Sequence, residues 1–171
     1  EFLFDTAKIG LIDFSDHNII DFLKEKIFSK CRYIDLDPVL KATSAKRGQE
    51  LPICFKELIT SKKTVLTPNK KELDVIAETF FSETLSLGTE EKAFAIASET
   101  GASIIVKYES EKDFVTLATP EKCSRIHFEI IPLERNVRGT GCRFSTAIAA
   151  SLAKGLDLND AVKKALSYMT L

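Results

Sequence analysis

The sequence lacks tryptophan, a long apolar run and any marked excess of charge. No apolar stretch reaches the roughly 20 residues that a membrane-spanning helix needs, so we expect no membrane partner. Lysine and arginine number 24 against 25 acidic residues, which gives a formal net charge of -1. This balance favours neither nucleic acid nor an anionic membrane as a partner. Acidic Glu1 and Asp5 flank the first apolar residues, where a signal peptide would carry a basic segment.

Cysteine is scarce and widely spaced. The four cysteines stand at 31, 54, 123 and 142, and no pair has the C-x-x-C spacing. His17 is distant from all four in sequence and His127 follows Cys123 by four positions without a second pair of ligands nearby, which argues against a zinc site. Reduced thiols are more typical of such a chain than a disulfide framework, so we expect a cytoplasmic protein.

What is present is an alternation of short apolar runs with amphipathic segments, which predicts parallel βαβ units with right-handed crossovers. A short connection between two late strands predicts an antiparallel edge. No repeat or flexible linker occurs, so we predict one α/β domain over 1–171. The predicted strands are 7–13, 33–37, 64–67, 103–108, 114–118 and 125–131. The predicted helices are 18–29, 53–60, 69–81, 89–101 with Thr89 as N-cap, 141–154 and 158–169.

The most informative stretch is Arg138-Gly139-Thr140-Gly141-Cys142, which is followed at once by a predicted helix. Two glycines allow a turn whose N–H groups converge, and the helix adds its positive end. This pattern predicts a pocket for an anion, most naturally a phosphoryl group. The helix dipole would lower the pKa of Cys142, so that its thiolate acts as a base toward a hydroxyl. The alternative is an ordinary helix entry with a buried cysteine.

This stretch resembles the signature of the ribokinase superfamily, in which G-x-G-D supplies an anion hole and a catalytic aspartate. With cysteine in place of aspartate, it is similar to the kinases of thiamin synthesis. The run NVRGTGCRFSTAIAASLAKGLDLNDAVKKAL resembles the end of the hydroxymethylpyrimidine kinases. The resemblance implies that Gly139, Thr140, Gly141 and Cys142 form the anion hole, with Cys142 at the catalytic position. Arg143 departs from the small or apolar residue usual there.

The segment Thr67-Pro68-Asn69-Lys70-Lys71-Glu72 permits two interpretations. Asn69 as N-cap and Glu72 three residues later are typical of a capping box. The same T-P-N-x-x-E also resembles the superfamily element that organises magnesium and phosphates. A carboxylate beside a triphosphate helps to hold a hard divalent cation. We predict that both roles occur together.

Three further segments resemble pyrimidine-kinase motifs. In Asp35-Leu36-Asp37-Pro38-Val39, the resemblance implies that Asp37 lies near metal or phosphate and that Val39 lines the pyrimidine pocket; the alternative is a strand-ending turn. In Lys8-Ile9-Gly10-Leu11, Leu11 takes the position of a methionine that packs on the pyrimidine. Lys107 matches a lysine that contacts ATP phosphates, although a strand-end lysine is often only solvated. The family's following glycines are replaced by Tyr108 and Glu109.

Taken together, the resemblance implies a three-layer α/β/α ribokinase-like fold. It also implies ATP and Mg²⁺ as cofactors, a substrate of the hydroxymethylpyrimidine type and a homodimer. The likeness covers the C-terminal two-thirds of the family domain, so the chain is expected to lack the family's N-terminal segment. Hydroxyethylthiazole kinase, pyridoxal kinase and a catalytically inactive binding relative remain as alternatives.

Overall fold

The structure is a computed structural model that describes residues 4–10, 16–39, 51, 53–108, 113–129 and 139–169. Within these ranges, six strands form one sheet in the order in which they follow in the chain. The strands are β1 (Phe4–Gly10), β2 (Cys31–Asp37), β3 (Thr64–Leu66), β4 (Ser103–Val106), β5 (Phe114–Ala118) and β6 (Cys123–His127). The first four strands pair in parallel, and β4, β5 and β6 pair antiparallel. The predicted mixed sheet with an antiparallel edge is confirmed.

Among the described residues, four helices lie between the parallel strands in sequence, and two more come after the last strand. They are α1 (His17–Phe22), α2 (Ile53–Ile59), α3 (Lys70–Phe80), α4 (Thr89–Thr100), α5 (Thr140–Ala153) and α6 (Leu158–Met169). None of the helices in the described ranges is long and apolar enough to cross a membrane.

Alternation along the strands creates two cores, one on each face of the sheet. Ile104 and Val106 of β4 pack with α1, α2, α3 and α4, whereas Ile105 between them packs with α5 and α6. A strand that is buried on both faces is apolar at consecutive positions, as β4 is over Ile104, Ile105 and Val106. The result is the predicted three-layer α/β/α arrangement.

Several local predictions are wrong in detail, and β1 and β2 begin at Phe4 and Cys31, before their predicted starts at 7 and 33. The helix predicted over 18–29 begins as α1 but continues as a π-helical turn, Leu23–Ile27, and a 3₁₀ turn, Phe28–Lys30. Thr89 is the first residue of α4 and not its N-cap. Gly88 takes that position because its backbone is extended and its N–H donates to the Glu91 carboxylate at 3.0 Å.

The last strand, predicted over 125–131, spans Cys123–His127 instead. Its register explains the shift, because Cys123 pairs with Ala118 and His127 pairs with Phe114. The partner strand β5 therefore sets both ends of β6.

Candidate active site

The carboxyl ends of the parallel strands gather residues from four segments of the chain. Asp37 ends β2, Asn69 follows β3 and Lys107 follows β4, and the latter two form a parallel bridge. Gly141 in the first turn of α5 lies beside Lys107, since a Cβ built on this glycine would stand 3.4 Å from the lysine Nζ. Open α/β sheets bind their ligands at this edge.

The turn that precedes α5 leaves the start of this helix without a side-chain cap among the described residues. Gly139 is the N-cap and has a φ of 79°, in the left-handed region that favours glycine. The N–H groups of Thr140, Gly141 and Cys142 therefore stand at the positive end of the helix dipole. This backbone arrangement is suited to an anion.

The carboxylate of Asp37 is the centre of the charged cluster at this edge. Lys107 Nζ donates to its Oδ1 at 2.8 Å, and Lys8 Nζ donates to its Oδ2 at 3.2 Å. The Cys142 thiol is a third donor to the same carboxylate. Asp37 is only 1% exposed, so these donors replace the water that the carboxylate loses on burial. The structure thus joins Asp37, Lys107 and Cys142, which were three separate predictions.

The pKa values at this cluster correct one prediction. Burial alone would raise the pKa of Asp37, but the charges and hydrogen bonds of Lys107 and Lys8, with the bond from Cys142, hold it below its usual value. For Cys142, burial and the adjacent Asp37 carboxylate raise the pKa, although both lysines act in the opposite direction. The expected lowering of the pKa of Cys142 is therefore wrong, because burial and then the neighbouring Asp37 carboxylate both disfavour the thiolate.

Asp35 is a second buried carboxyl group, to which the sequence-based interpretation assigned no role. It is 0% exposed, and its Oδ1 accepts from Thr67 Oγ1 at 3.3 Å and from Ser145 Oγ at 3.0 Å. Its Oδ2 is buried and has no hydrogen-bond partner within the described residues. Burial raises the pKa of Asp35 to about 7, with the Asp37 charge acting in the same direction. The bond from Ser145 ties the second turn of α5 directly to β2.

Lys8 is another residue of the cluster that had no assigned role. A sequence signal for both residues exists, because Asp-Leu-Asp has a charge at every second position of a strand and Lys-Ile-Gly has a charge two positions before a glycine. Alternate strand residues share one face, so Asp35 and Asp37 lie together, as do Lys8 and Gly10. In the register of β1 and β2, Lys8 stands opposite Asp35 and Gly10 opposite Asp37.

The start of α3 has the predicted capping box. Asn69 Oδ1 accepts from Glu72 N at 2.9 Å, and Glu72 Oε2 accepts from Asn69 N at 2.8 Å. The capping interpretation of Asn69 and Glu72 is confirmed, and their role toward magnesium and phosphates stays a prediction. No group of three or more His, Cys, Asp or Glu side chains in the described part of the chain is arranged to hold a metal ion.

The remaining predicted residues lie around this edge or outside the described ranges. Val39 is half-buried and its N–H donates to the Asp37 carbonyl at 2.9 Å, whereas Leu11 lies outside the described residues. The Arg143 side chain is exposed on the first turn of α5. Tyr108 packs edge-on against the Phe114 ring, with its hydroxyl 2.8 Å from Thr116 Oγ1. The residue in place of a family glycine is therefore held against β5.

The chain matches the sequence profile of one protein family, phosphomethylpyrimidine kinase, over residues 1–171. It is 27% identical over 185 aligned positions to a hydroxymethylpyrimidine/phosphomethylpyrimidine kinase from Haemophilus influenzae, covering 99% of this chain and 65% of that enzyme. It is also 27% identical to a chloroplastic bifunctional enzyme of thiamine biosynthesis from Arabidopsis thaliana, of which it covers 33%. The chain thus spans between a third and two-thirds of the length of these relatives.

Solved structures share the fold at lower identity. A pyridoxal kinase from Staphylococcus aureus in complex with pyridoxal superposes with a TM-score of 0.74 at 23% identity, over 96% of this chain and 60% of that enzyme. A pyridoxal kinase from Bacillus subtilis in an ADP complex gives a TM-score of 0.69 at 21% identity, over 96% of this chain and 62% of that enzyme. A ribokinase from Thermotoga maritima gives 0.66 at 21% identity, over 98% of this chain and 50% of that enzyme. The chain therefore has the ribokinase-like fold.

Proposed function

Because the chain belongs to the phosphomethylpyrimidine kinase family, we propose that the protein carrying it transfers the terminal phosphoryl group of ATP to hydroxymethylpyrimidine or its monophosphate. The observation that carries this proposal is the uncapped start of α5 beside the cluster of Asp37, Lys8, Lys107 and Cys142. Backbone N–H groups and two ammonium groups there can stabilise the charge of a phosphoryl group in transfer.

In this proposal the glycine turn at Gly139, Thr140 and Gly141 forms the anion hole, and Lys107 binds phosphates of the nucleotide. Phosphoryl transfer passes through a loose transition state, so positioning and electrostatic stabilisation supply most of the catalysis. The Cys142 thiol faces the Asp37 carboxylate in its protonated form. A protonated thiol has no site for a second proton, so Cys142 orients the substrate hydroxyl instead of acting as a base. The hydroxyl proton passes to an oxygen of the transferred phosphoryl group as the new O–P bond forms and the bond to ADP breaks.

Magnesium is compatible with the donor chemistry at this edge. Mg²⁺ prefers carboxylate oxygens and keeps several water and phosphate ligands, so one or two carboxylates are sufficient. We assign Glu72 and Asp37 to this role, and the metal would neutralise charge on the ATP phosphates. Asp37 accepts from Lys8 and Lys107, and Glu72 Oε2 accepts from the Asn69 N–H, so a metal bound by either carboxylate would share it with donors of the protein.

The substrate pocket is assigned by family resemblance. Val39 stands directly after the Asp37-Pro38 turn, so its half-buried side chain is close to the reaction edge. With Leu11 and Cys142 it would contact the pyrimidine.

We also propose a homodimer, a cytoplasmic location and no nucleic-acid partner. Light scattering of the purified protein tests the homodimer.

The deciding experiment is steady-state ATP-dependent phosphorylation by the longest native form of the protein, beside Cys142→Ala. Hydroxymethylpyrimidine and its monophosphate are the test substrates, and hydroxyethylthiazole and pyridoxal are the competing ones. We expect turnover of a pyrimidine substrate, with kcat reduced roughly 10²-fold in the variant because the substrate hydroxyl is no longer oriented. Preferred turnover of pyridoxal or hydroxyethylthiazole would reassign the substrate. A folded protein that binds nucleotide but turns over none of them would be the inactive binding relative.

A further inference from the structure

We propose that Lys8 and Lys107 form one anion-binding pair in which the Asp37 carboxylate occupies the position of a phosphate, and that an incoming phosphate displaces this carboxylate. The choice of phosphate as ligand rests on the proposed function. The pair itself rests on the ion pairs and on the space that two glycines leave for the lysines. It adds Lys8, and a competing role for Asp37, to the predicted phosphate contact of Lys107.

Asp37 is held in the way that a bound phosphate would be held. Two ammonium groups, at 2.8 Å and 3.2 Å, and one thiol converge on its two oxygens. The side chains of Lys107 and Lys8 are 14% and 24% exposed, whereas the carboxylate between them is nearly buried, so both lysines approach it from the solvent side. Charge-assisted hydrogen bonds of this kind are the strongest that a protein offers to an anion.

Gly10 leaves the space that Lys8 needs. Lys8 extends along β1 past Gly10 to reach Asp37, which stands opposite Gly10 in the neighbouring strand. A Cβ on Gly10 would lie 2.6 Å from Lys8 Nζ, 3.2 Å from the Asp37 carbonyl oxygen and 3.3 Å from Asp37 Cβ. A side chain at position 10 would therefore displace the lysine ammonium from the carboxylate.

Gly141 provides the equivalent surface for Lys107, with a built Cβ 3.4 Å from Nζ and 3.9 Å from Cδ and Cε. Lys107 therefore lies directly against the first turn of α5, where backbone N–H groups also attract anions. Lys107 therefore connects the lysine pair to the start of α5.

The charge of the cluster favours exchange of the carboxylate for a stronger anion. Two ammonium groups face the Asp37 carboxylate, and the neighbouring Asp35 is neutral below its pKa of about 7, so below pH 7 the cluster has an excess of positive charge at the positive end of α5. A phosphate carries more charge and more acceptor oxygens than a carboxylate. It can also adjust its position between the two lysines, whereas the Asp37 carboxylate is attached to β2. Asp37 acts as a competitor that keeps the two lysines in position until the phosphate arrives.

If Asp37 and a phosphate compete for the lysines, substitutions of Asp37 and of the lysines should change the affinity for anions in opposite directions. A purely structural role of these contacts would not produce opposite effects. Removing the charge of Asp37 deletes the competitor, so anions bind more tightly. Removing either ammonium group deletes a donor, so they bind more weakly. Gly10→Ala should act like Lys8→Met although it retains the lysine, because it displaces the ammonium group.

The test is isothermal titration of the longest native form with inorganic pyrophosphate, without Mg²⁺ and at low ionic strength. We expect Asp37→Asn to bind pyrophosphate roughly fivefold more tightly, and Lys8→Met and Lys107→Met to bind it roughly tenfold more weakly. Gly10→Ala is the second variant for Lys8 in case Lys8→Met does not fold. Lys154→Met, exposed at the opposite end of α5, is the matched control and should bind as the parent does.

Two further arms identify the source of the phosphate. A non-hydrolysable ATP analogue and hydroxymethylpyrimidine monophosphate are titrated into Lys8→Met and Lys107→Met. A loss confined to one ligand assigns that lysine to the nucleotide or to the phosphorylated substrate.

The proposal is overturned if folded Asp37→Asn binds pyrophosphate more weakly, or if Gly10→Ala and Lys8→Met bind it as the parent does. Opposite-sign effects without turnover of any substrate would retain the anion pair and reject the kinase assignment. Turnover of a substrate without these effects on pyrophosphate binding would retain the kinase assignment and reject the anion pair.

Discussion

Two helices begin at the same edge of the sheet, and their first turns are completed in different ways. At α3, Asn69 and Glu72 cap each other's backbone N–H groups, so the start of the helix is satisfied by its own side chains. At α5, the N-cap is Gly139 and no described side chain caps the first turn. The N–H groups of α5 are thus available to a ligand in a way that those of α3 are not.

The comparison also shows how each helix is anchored. The capping box anchors α3 through residues three positions apart in sequence. By contrast, α5 is anchored by the bond from Ser145 to Asp35 in β2, across 110 positions of sequence. A local cap makes a helix start self-contained, whereas a tertiary anchor leaves its first turn open for chemistry.

The largest expected effect concerns the anchor of α5. The pKa of Asp35 is about 7 in the folded protein against a usual value of 3.8, so the folded state binds a proton more tightly than the unfolded state does. The stability that this group contributes is fully present below pH 4 and is lost as the pH rises through 7. Relative to Asp35→Asn, which cannot titrate, the parent should lose on the order of 4 kcal/mol between pH 4 and pH 8.

Urea denaturation of both proteins at several pH values measures this difference. Asp113→Asn, which removes an exposed carboxylate far from the anchor, is the control. The raised pKa of Asp35 would be contradicted if the free energies of unfolding of the parent and of Asp35→Asn differed by the same amount at every pH from 4 to 8.

The second prediction fills the open helix start. Gly139→Asp would add a carboxylate at the first turn of α5, where it would compete with a phosphate for the N–H groups. Turnover should fall roughly 100-fold, equivalent to about 3 kcal/mol. Gly139→Asn is the matched control, because it has nearly the same shape and the same tolerance of the left-handed conformation but no charge. Equal kcat/KM values for the two variants would show that the charge at this turn is irrelevant.

The third and smallest effect removes the cap of α3. Asn69→Ala should lower the free energy of unfolding by about 1 kcal/mol, whereas Asn69→Asp should restore most of it by accepting the same bond. Glu72→Gln tests the second role of this segment: it retains an oxygen for the Asn69 N–H but removes the charge. If Glu72 is a metal ligand, Glu72→Gln should need a higher Mg²⁺ concentration than the parent for half-maximal turnover. The same Mg²⁺ requirement in both proteins would leave Glu72 with the capping role alone.

Most elements of the fold were predictable because they depend on local pattern. The strand Phe114–Ala118 and the helix Leu158–Met169 have the predicted bounds. The helix predicted to end at 101 does so, with Gly101 as its C-cap at a φ of 77°. The errors arose where a partner decides, as β5 does for the ends of β6.

The site was predictable to a smaller extent. Motif resemblance identified Asp37, Lys107 and the glycine turn, which the structure brings together. It identified neither Lys8 nor Asp35, because a charged residue in a strand pattern does not reveal which partner it faces. The expected pKa shift of Cys142 had the wrong sign for the same reason, since the neighbouring carboxylate belongs to a segment over one hundred positions away.

The amino-acid sequence by itself determined the class of fold, the order of its elements, the capped start of α3 and the open glycine turn of α5. These features depend on side-chain periodicity and on conformational preferences that act over a few residues. Only the tertiary structure decided that one carboxylate has two lysines and a thiol as neighbours, and that a buried aspartate anchors α5. Electrostatic effects depend on distance and burial, which are set by how the strands and α5 pack together.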